Sequence, residues 1–250
     1  MPGVELLVLV VVTFLIAGGV KGVIGLGLPT VALALLTAAS DLTTAMTLLL
    51  FPSFLTNLWQ AMVGGAAREI MARTWPFLAA AVVTVPIGAL ALESVPLPAL
   101  SGLLGGLIIT YAAISLAGLR LAMTPATARR TGPLFGVLNG ILTGMTGSFV
   151  VPGVMYLQAL GLSRDAFVQA MGILFTLSTL ALGLSLARSD VLLSENITLS
   201  ALAVLPAFAG MWAGQRLRAR LSETLFRRVF FIALTILGLY IVWNATASLR

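Results

Sequence analysis

Six stretches of this chain carry no charged side chain over a length that can cross a bilayer: Leu42–Val63, Trp75–Leu92, Leu97–Leu119, Ala166–Ala187, Asn196–Gly214 and Val229–Ala247. A helical crossing takes about 17–25 apolar residues. No other property constrains the fold as strongly, because hydrocarbon offers the backbone no hydrogen-bonding partner. Composition agrees. Hydrophobic residues make up 60% of the 250 residues and charged ones only 9%, where a soluble domain carries about 25% charge. A soluble globular domain, a disordered chain and a secreted disulfide scaffold are excluded. The absence of cysteine and histidine removes thiol chemistry, thiol-based metal sites and imidazole acid–base catalysis. The first apolar stretch, Val4–Ala17, holds Glu5 and lacks a positive flank, so it does not read as a cleaved signal peptide.

Two further apolar stretches, Val4–Ser40 and Pro133–Ser163, span 37 and 31 residues. Each is too long for one ordinary crossing and too short for two with a turn, which takes about 40 or more. Glycines interrupt both near the middle, over residues 18–27 and 139–148. The interruptions repeat: an offset of 122 carries Gly18, Gly22 and Gly25 onto Gly140, Gly144 and Gly147. Gly88 falls on Gly210 at the same offset, Ala45-Met46 on Ala170-Met171 at 125, and Pro29 and Pro152 follow one position out of step. The chain therefore divides into a first repeat, 1–122, a linker, 123–130, and a second repeat, 131–250. Together they form one transmembrane domain.

Charge sets the orientation. Short loops rich in Lys and Arg stay in the cytoplasm. That places Arg68/Arg73, the arginines around the linker (Arg120, Arg129, Arg130) and the Arg216–Arg228 cluster inside. Asp41, Glu93 and Asp190/Glu195 fall outside. Eleven of the fourteen basic residues, Arg164 among them, then lie inside; Arg188 and Arg250 lie outside and Lys21 lies in the membrane. The corresponding loops of the two repeats fall on opposite sides, so the repeats are inverted and each broken segment makes an even number of crossings. The expected fold is an all-α polytopic membrane protein of two inverted-topology repeats. Each repeat is a broken glycine-rich helical hairpin plus three transmembrane helices, and both termini lie outside. Two short tilted helices per broken segment is the alternative. The sequence pI of about 11.1 reflects this topology and no nucleic-acid partner. The bilayer is the partner of the outer surface, and a homo-oligomer is left open.

Inverted repeats with broken elements are the pattern of secondary transporters, whose substrate sits at the repeat interface. The chemistry of the breaks points to an anion. Helix N-termini at a break present free N–H groups and the positive end of a dipole. Lys21, the only lysine, is the one charge placed in the membrane, and such a residue marks a functional site by default. It sits beside Gly22, Gly25, Gly27, Pro29 and Thr30. The second break offers Thr143, Gly144, Thr146, Gly147 and Ser148 in place of a cation. The competing role for Lys21 is a snorkelling topology anchor. Ser53, Asn57 and Gln60 share one helix face, as do Gln169 and Thr176. These line a pathway or join helices, with no preference between the two. Tyr156 and Gln158 lean towards packing or an interface. Gly102/Gly106 and Gly210/Gly214 are expected to bring helices close, and Trp59, Trp75, Trp212 and Trp243 to mark membrane interfaces.

The run Gly18-x-x-Lys21-Gly22-x-x-Gly25-x-Gly27-x-Pro29-Thr30, its second copy Gly144-x-x-Gly147 with Pro152, and the two-copy layout resemble the TauE/SafE sulfite exporter family. The resemblance covers essentially the whole chain. It implies a bacterial inner-membrane permease for small anions, often sulfur oxyanions or organosulfonates such as sulfite or sulfoacetate. Gly25-Leu26-Gly27-Leu28-Pro29 departs from the three consecutive glycines of many members. The expected function is secondary transport of a small anion by alternating access, with no cofactor and no enzymatic activity. An inside-negative potential favours export, since each charge crossing 100 mV is worth about 2.3 kcal/mol, and all eight acids map to loops or ends. A passive anion channel and a cation-coupled importer share the same site. A membrane enzyme would need a nucleophile–base pair or metal ligands in the spans, and the spans hold none. A structural subunit without transport of its own is the remaining reading.

Overall fold

The apolar stretches fold as helices throughout. A computed structural model describes residues 3–119, 122–188 and 194–249; Arg120, Asp190 and Arg250 lie outside the described residues. In chain order the helices are α1 (Gly3–Ile24), α2 (Leu28–Ala39), α3 (Leu42–Met62), α4 (Ala67–Ala89), α5 (Ala91–Ser94), α6 (Leu97–Leu116), α7 (Pro125–Thr146), α8 (Gly153–Ala159), α9 (Arg164–Leu186), α10 (Ser194–Leu202), α11 (Val204–Arg218) and α12 (Glu223–Ser248). Among the described residues seven of these segments, with α4–α5 and α10–α11 each taken as one, are long and apolar enough to cross a membrane. The chain is an all-α, multi-pass membrane protein. Its helix starts are written in the sequence: Asp41, Thr124, Ser163 and Ser222 each accept a hydrogen bond from the N–H three residues on, the N-cap arrangement these residue types favour.

Both glycine-rich segments fold as a helix, a short turn and a second helix. α1 and α7 begin and end 122 residues apart. Each is followed by a left-handed glycine, Gly25 at φ 80 and Gly147 at φ 71. The Gly25 N–H donates to the Lys21 carbonyl at 2.8 Å and the Gly147 N–H to the Thr143 carbonyl at 2.7 Å. Only glycine takes this backbone without strain. The arms are nevertheless unequal. α1, at 22 residues, is long enough to span alone, whereas α2 has 12 and α8 has 7. The turns also come at the end of each glycine run. Gly18, Gly19, Gly22, Gly140 and Gly144 are helical, because their missing side chains admit a neighbouring helix.

The helices group into two compact units. One contains α1, α2, the first half of α3, α6, α10, α11 and α12. The other contains α3 from Ser53 onward, α4, α5, α7, α8 and α9. In the first unit α1 packs on α11. A Cβ on Gly18 or Gly22 would strike the carbonyl of Ala207 or Met211, and one on Gly210 or Gly214 the carbonyl of Leu15 or Gly19. In the second unit α7 packs on α4 in the same manner. Gly136, Gly140 and Gly144 meet the carbonyls of Phe77, Ala81 and Val85, and Gly88 meets that of Ile141. Lipid gives little hydrophobic drive between helices, so such backbone proximity supplies van der Waals contact instead.

These contacts correct the repeat register. Ile141 is 122 residues after Gly19, and the glycine on Gly19 is Gly214, so Gly214 rather than Gly210 is the counterpart of Gly88. The true offset there is 126. The four extra residues make about one turn and keep the same helix face. The α6–α12 pair holds a second correction. Gly106 has nothing within 4 Å, and Gly102 meets only the Ala245 Cβ at 3.4 Å. The close approach is made by Gly105, whose Cβ would lie 2.8 Å from the Gly238 carbonyl. The expected tryptophans are all exposed, from 56% at Trp212 to 73% at Trp243, as residues facing lipid or its interface are. Arg216 lies over the Trp212 ring, 3.4 Å from its centre.

Candidate functional site

In the first unit the candidate site is the end of α1 and its turn into α2. Lys21 sits in the last turn of α1 and is only 4% exposed. A cation there meets the negative end of the helix dipole. Gly27, at φ 103, precedes α2, and its N-cap position carries no side-chain bond. A Cβ on Gly27 would lie 3.2 Å from Val20 and 3.3 Å from the Phe230 ring, so the turn is folded tightly onto α1 and α12. The Phe230 and Phe231 rings are tilted to one another with centres 4.9 Å apart, and Tyr111 meets Phe231 edge-on at 5.3 Å. Thr30 is buried in the first turn of α2, beside Pro29, which has no N–H to give. Lys21, Gly22, Gly27 and Thr30 are buried within one short stretch, and Gly25 in it is half-buried. Gly22 alone faces away from it, towards α11.

In the second unit the hydroxyls of Thr143 and Thr146 are occupied locally. Thr143 donates to the Ser148 carbonyl at 3.0 Å and Thr146 to the Leu142 carbonyl at 2.7 Å. The Ser148 N–H donates to the Thr146 hydroxyl at 3.2 Å. Their hydroxyl hydrogens close the turn instead of pointing to a ligand. Gly144 serves helix contact, and Gly147 supplies the left-handed cap. The loop after it, from Ser148 to Val150, is buried. Sequence reasoning passed over Asn139. It is fully buried, its Oδ1 accepts from the Gly153 N–H at 2.9 Å, and its Nδ2 finds no partner among the described residues.

The polar faces of α3 and α9 meet one another. The Ser53 and Thr179 hydroxyls lie 3.1 Å apart, and Asn57 Nδ2 donates to Ser53 at 3.0 Å. Gln60 Nε2 donates to the Val168 carbonyl at 2.8 Å. Gln169 is used at both ends: Nε2 donates to the Ala61 carbonyl, and Oε1 accepts from the Ala66 N–H, both at 2.8 Å. Of the two roles open for these residues, the geometry is that of joining helices. Tyr156 likewise packs, stacking on Phe77 at 4.5 Å and donating to the Ala128 carbonyl at 3.1 Å, while Gln158 is exposed.

The first unit also holds a cavity of about 380 Å³ lined by Thr37, Ser40, Asp41, Ser101, Asn244 and Ser248, with apolar neighbours. Periodicity gives no signal for it, since it forms where the ends of α2 and α12 meet the starts of α3 and α6. Asp41 is its only acid. Thr43 donates to its carboxylate at 2.6 Å, and Thr44 donates through its N–H at 2.8 Å and its hydroxyl at 2.7 Å. Burial pushes this carboxyl up, but those hydrogen bonds outweigh it and hold it below the usual carboxylate range. The sign follows: the charged form is favoured by folding, so its stabilisation is present above the unfolded pKa and is lost as pH falls through the folded one. Asp41→Ala is expected to lower stability at pH 7 by about 1 kcal/mol through loss of the cap. Thermal unfolding of both proteins in detergent checks this, and the gap is expected to close as pH falls below about 4.

A family model described as Sulfite exporter TauE/SafE matches residues 10–241, a range that includes both glycine breaks. No curated protein and no solved structure matches the chain.

Proposed function

The chain belongs to the TauE/SafE sulfite exporter family, a family of membrane transporters, and from that premise we propose that it exports a small sulfur oxyanion or organosulfonate by alternating access. One observation carries the anion reading: Lys21, the sole lysine, lies buried at the end of a span-length helix, against a glycine turn. An intramembrane ionisable residue is costly and marks a functional site by default. Thr30 and the backbone of Gly25 and Gly27 are the groups nearest to it along the chain. The protein resides in a bacterial inner membrane with both termini outside, the orientation that keeps eleven arginines in the cytoplasm.

Direction follows from charge. A monoanion leaving an inside-negative compartment at 100 mV gains about 2.3 kcal/mol, enough to sustain a gradient of roughly fiftyfold. No coupled ion is needed. The test is sulfite efflux from liposomes containing the purified protein, with the potential set by a potassium gradient and valinomycin. Efflux is expected to saturate with sulfite and to accelerate as the interior becomes more negative. Efflux indistinguishable from that of protein-free liposomes, for sulfite, thiosulfate and sulfoacetate alike, would overturn the reading. Flux that rises linearly with concentration would replace the transporter with a passive channel.

A further inference from the structure

Asn139 offers a donor to the second break that the hydroxyls of Thr143 and Thr146 do not. The side chain is fully buried on α7, four residues before Thr143 and on the same face. Its orientation is fixed by chemistry. The Gly153 N–H can only donate, so the carboxamide oxygen must face it at 2.9 Å. The amide nitrogen is left with two hydrogens and no acceptor among the described residues. Gly153 is the point where three elements converge. A Cβ there would lie 2.9 Å from Asn139 Cγ and 2.9 Å from Leu174 Cδ2, on α9. Ser178 lies one turn beyond Leu174 on the same helix face. It too is fully buried, and its hydroxyl also lacks a partner among the described residues. A buried donor without an acceptor is expensive and rare in folded proteins. Two of them, one at Gly153 and one a helix turn from a residue that meets Gly153, call for an acceptor from outside the chain.

We infer that the carboxamide of Asn139 and the hydroxyl of Ser178 bind an oxyanion beside the turn between α7 and α8. The inference rests on the anion reading above and adds its donor set in the second repeat. The ligand is an acceptor-only group such as a sulfonate or sulfite oxygen. A cation does not fit, since the free end of Asn139 can only donate. Gly153 belongs to the same device. It leaves the space that the carboxamide fills and supplies the N–H that turns the carboxamide round.

The experiment compares the full-length protein with Asn139→Asp and Ser178→Ala. Sulfite, sulfate and sulfoacetate are titrated into each in detergent, and binding is read by calorimetry and by the shift in melting temperature. Asn139→Asp keeps the acceptor for Gly153 but puts an oxygen where the donor was. Ser178→Ala removes one hydroxyl and almost no volume. Affinity for the anion that binds the wild type is expected to fall at least about tenfold in each, the weight of one hydrogen bond to a charged group. Wild-type affinity in both variants would overturn this inference and leave the anion reading standing. It would make the two donors partners of internal water. If Asn139→Asp does not fold, Ser178→Ala decides by the same criterion. If none of the three anions binds the wild type, both this inference and the anion reading fall.

Discussion

Lys21→Met is expected to remove anion-dependent stabilisation and transport while leaving a folded, monodisperse protein. Methionine keeps an unbranched apolar stem of similar length in the 4% exposed position at the end of α1, so the packing of that turn survives. What goes is the ammonium. Two unit charges about 4 Å apart interact by about 4 kcal/mol at an effective dielectric near 20. Loss of that attraction weakens binding by up to roughly a thousandfold. The two effects separate cleanly in a melting experiment. Wild-type protein gains about 2.7 kcal/mol at an anion concentration of 100 Kd, whereas the variant gains nothing at the same concentration. Without anion the two are expected to melt within a few degrees of each other. A topology anchor predicts another pattern: Lys21→Met would keep its anion response, and its membrane orientation would change instead.

Gly140→Leu is expected to leave no folded protein. The missing side chain of Gly140 is occupied by the Ala81 carbonyl and the Thr84 hydroxyl, and Thr84 also donates across to the Val137 carbonyl at 3.2 Å. A leucine cannot enter by rotating a neighbour, because one obstacle is backbone. α4 and α7 would have to part, exposing Phe77, Ala81 and Val85, all of which are fully buried. Overpacking of a yielding core costs about 1–3 kcal/mol. Separating two helices along their contact costs more, about 4 kcal/mol or above, against a whole stability of about 5–15 kcal/mol. Gly106→Ala is the control. Nothing lies within 4 Å of that position, and alanine improves helix propensity there by up to about 1 kcal/mol. Size-exclusion profiles in detergent are expected to show aggregate for the first and a monodisperse peak for the second.

The spans and the two breaks were legible because they depend on local sequence. Length and charge define a crossing. α1 and α7 begin and end at the same 122-residue offset that their glycines show in the sequence. Other features depend on which helix lies against which, and a single chain does not print that. Gly18 and Gly22 look like a break until α11 fills the space beside them. Gly105 and Gly106 are equivalent in sequence, and only the position of α12 separates them. The hydroxyls of Thr143 and Thr146 look available until the turn after α7 brings carbonyls within their reach. Asn139 looks like one polar residue among glycines until Gly153 claims its oxygen.

The helix pairings carry a consequence for how such a chain arises. α1 of the first repeat rests on α11 of the second, and α7 of the second rests on α4 of the first. The close glycine contacts between these helix pairs therefore join residues of 1–122 to residues of 131–250. If 1–122 and 131–250 are inverted copies of one unit, a protein made of either alone would bury those faces only by pairing with a second copy in the opposite orientation. On that reading the chain is a dimer whose subunits have been joined end to end, with the 123–130 segment as the join. Cut there, the two fragments should be unable to fold apart and able to complement each other when produced together.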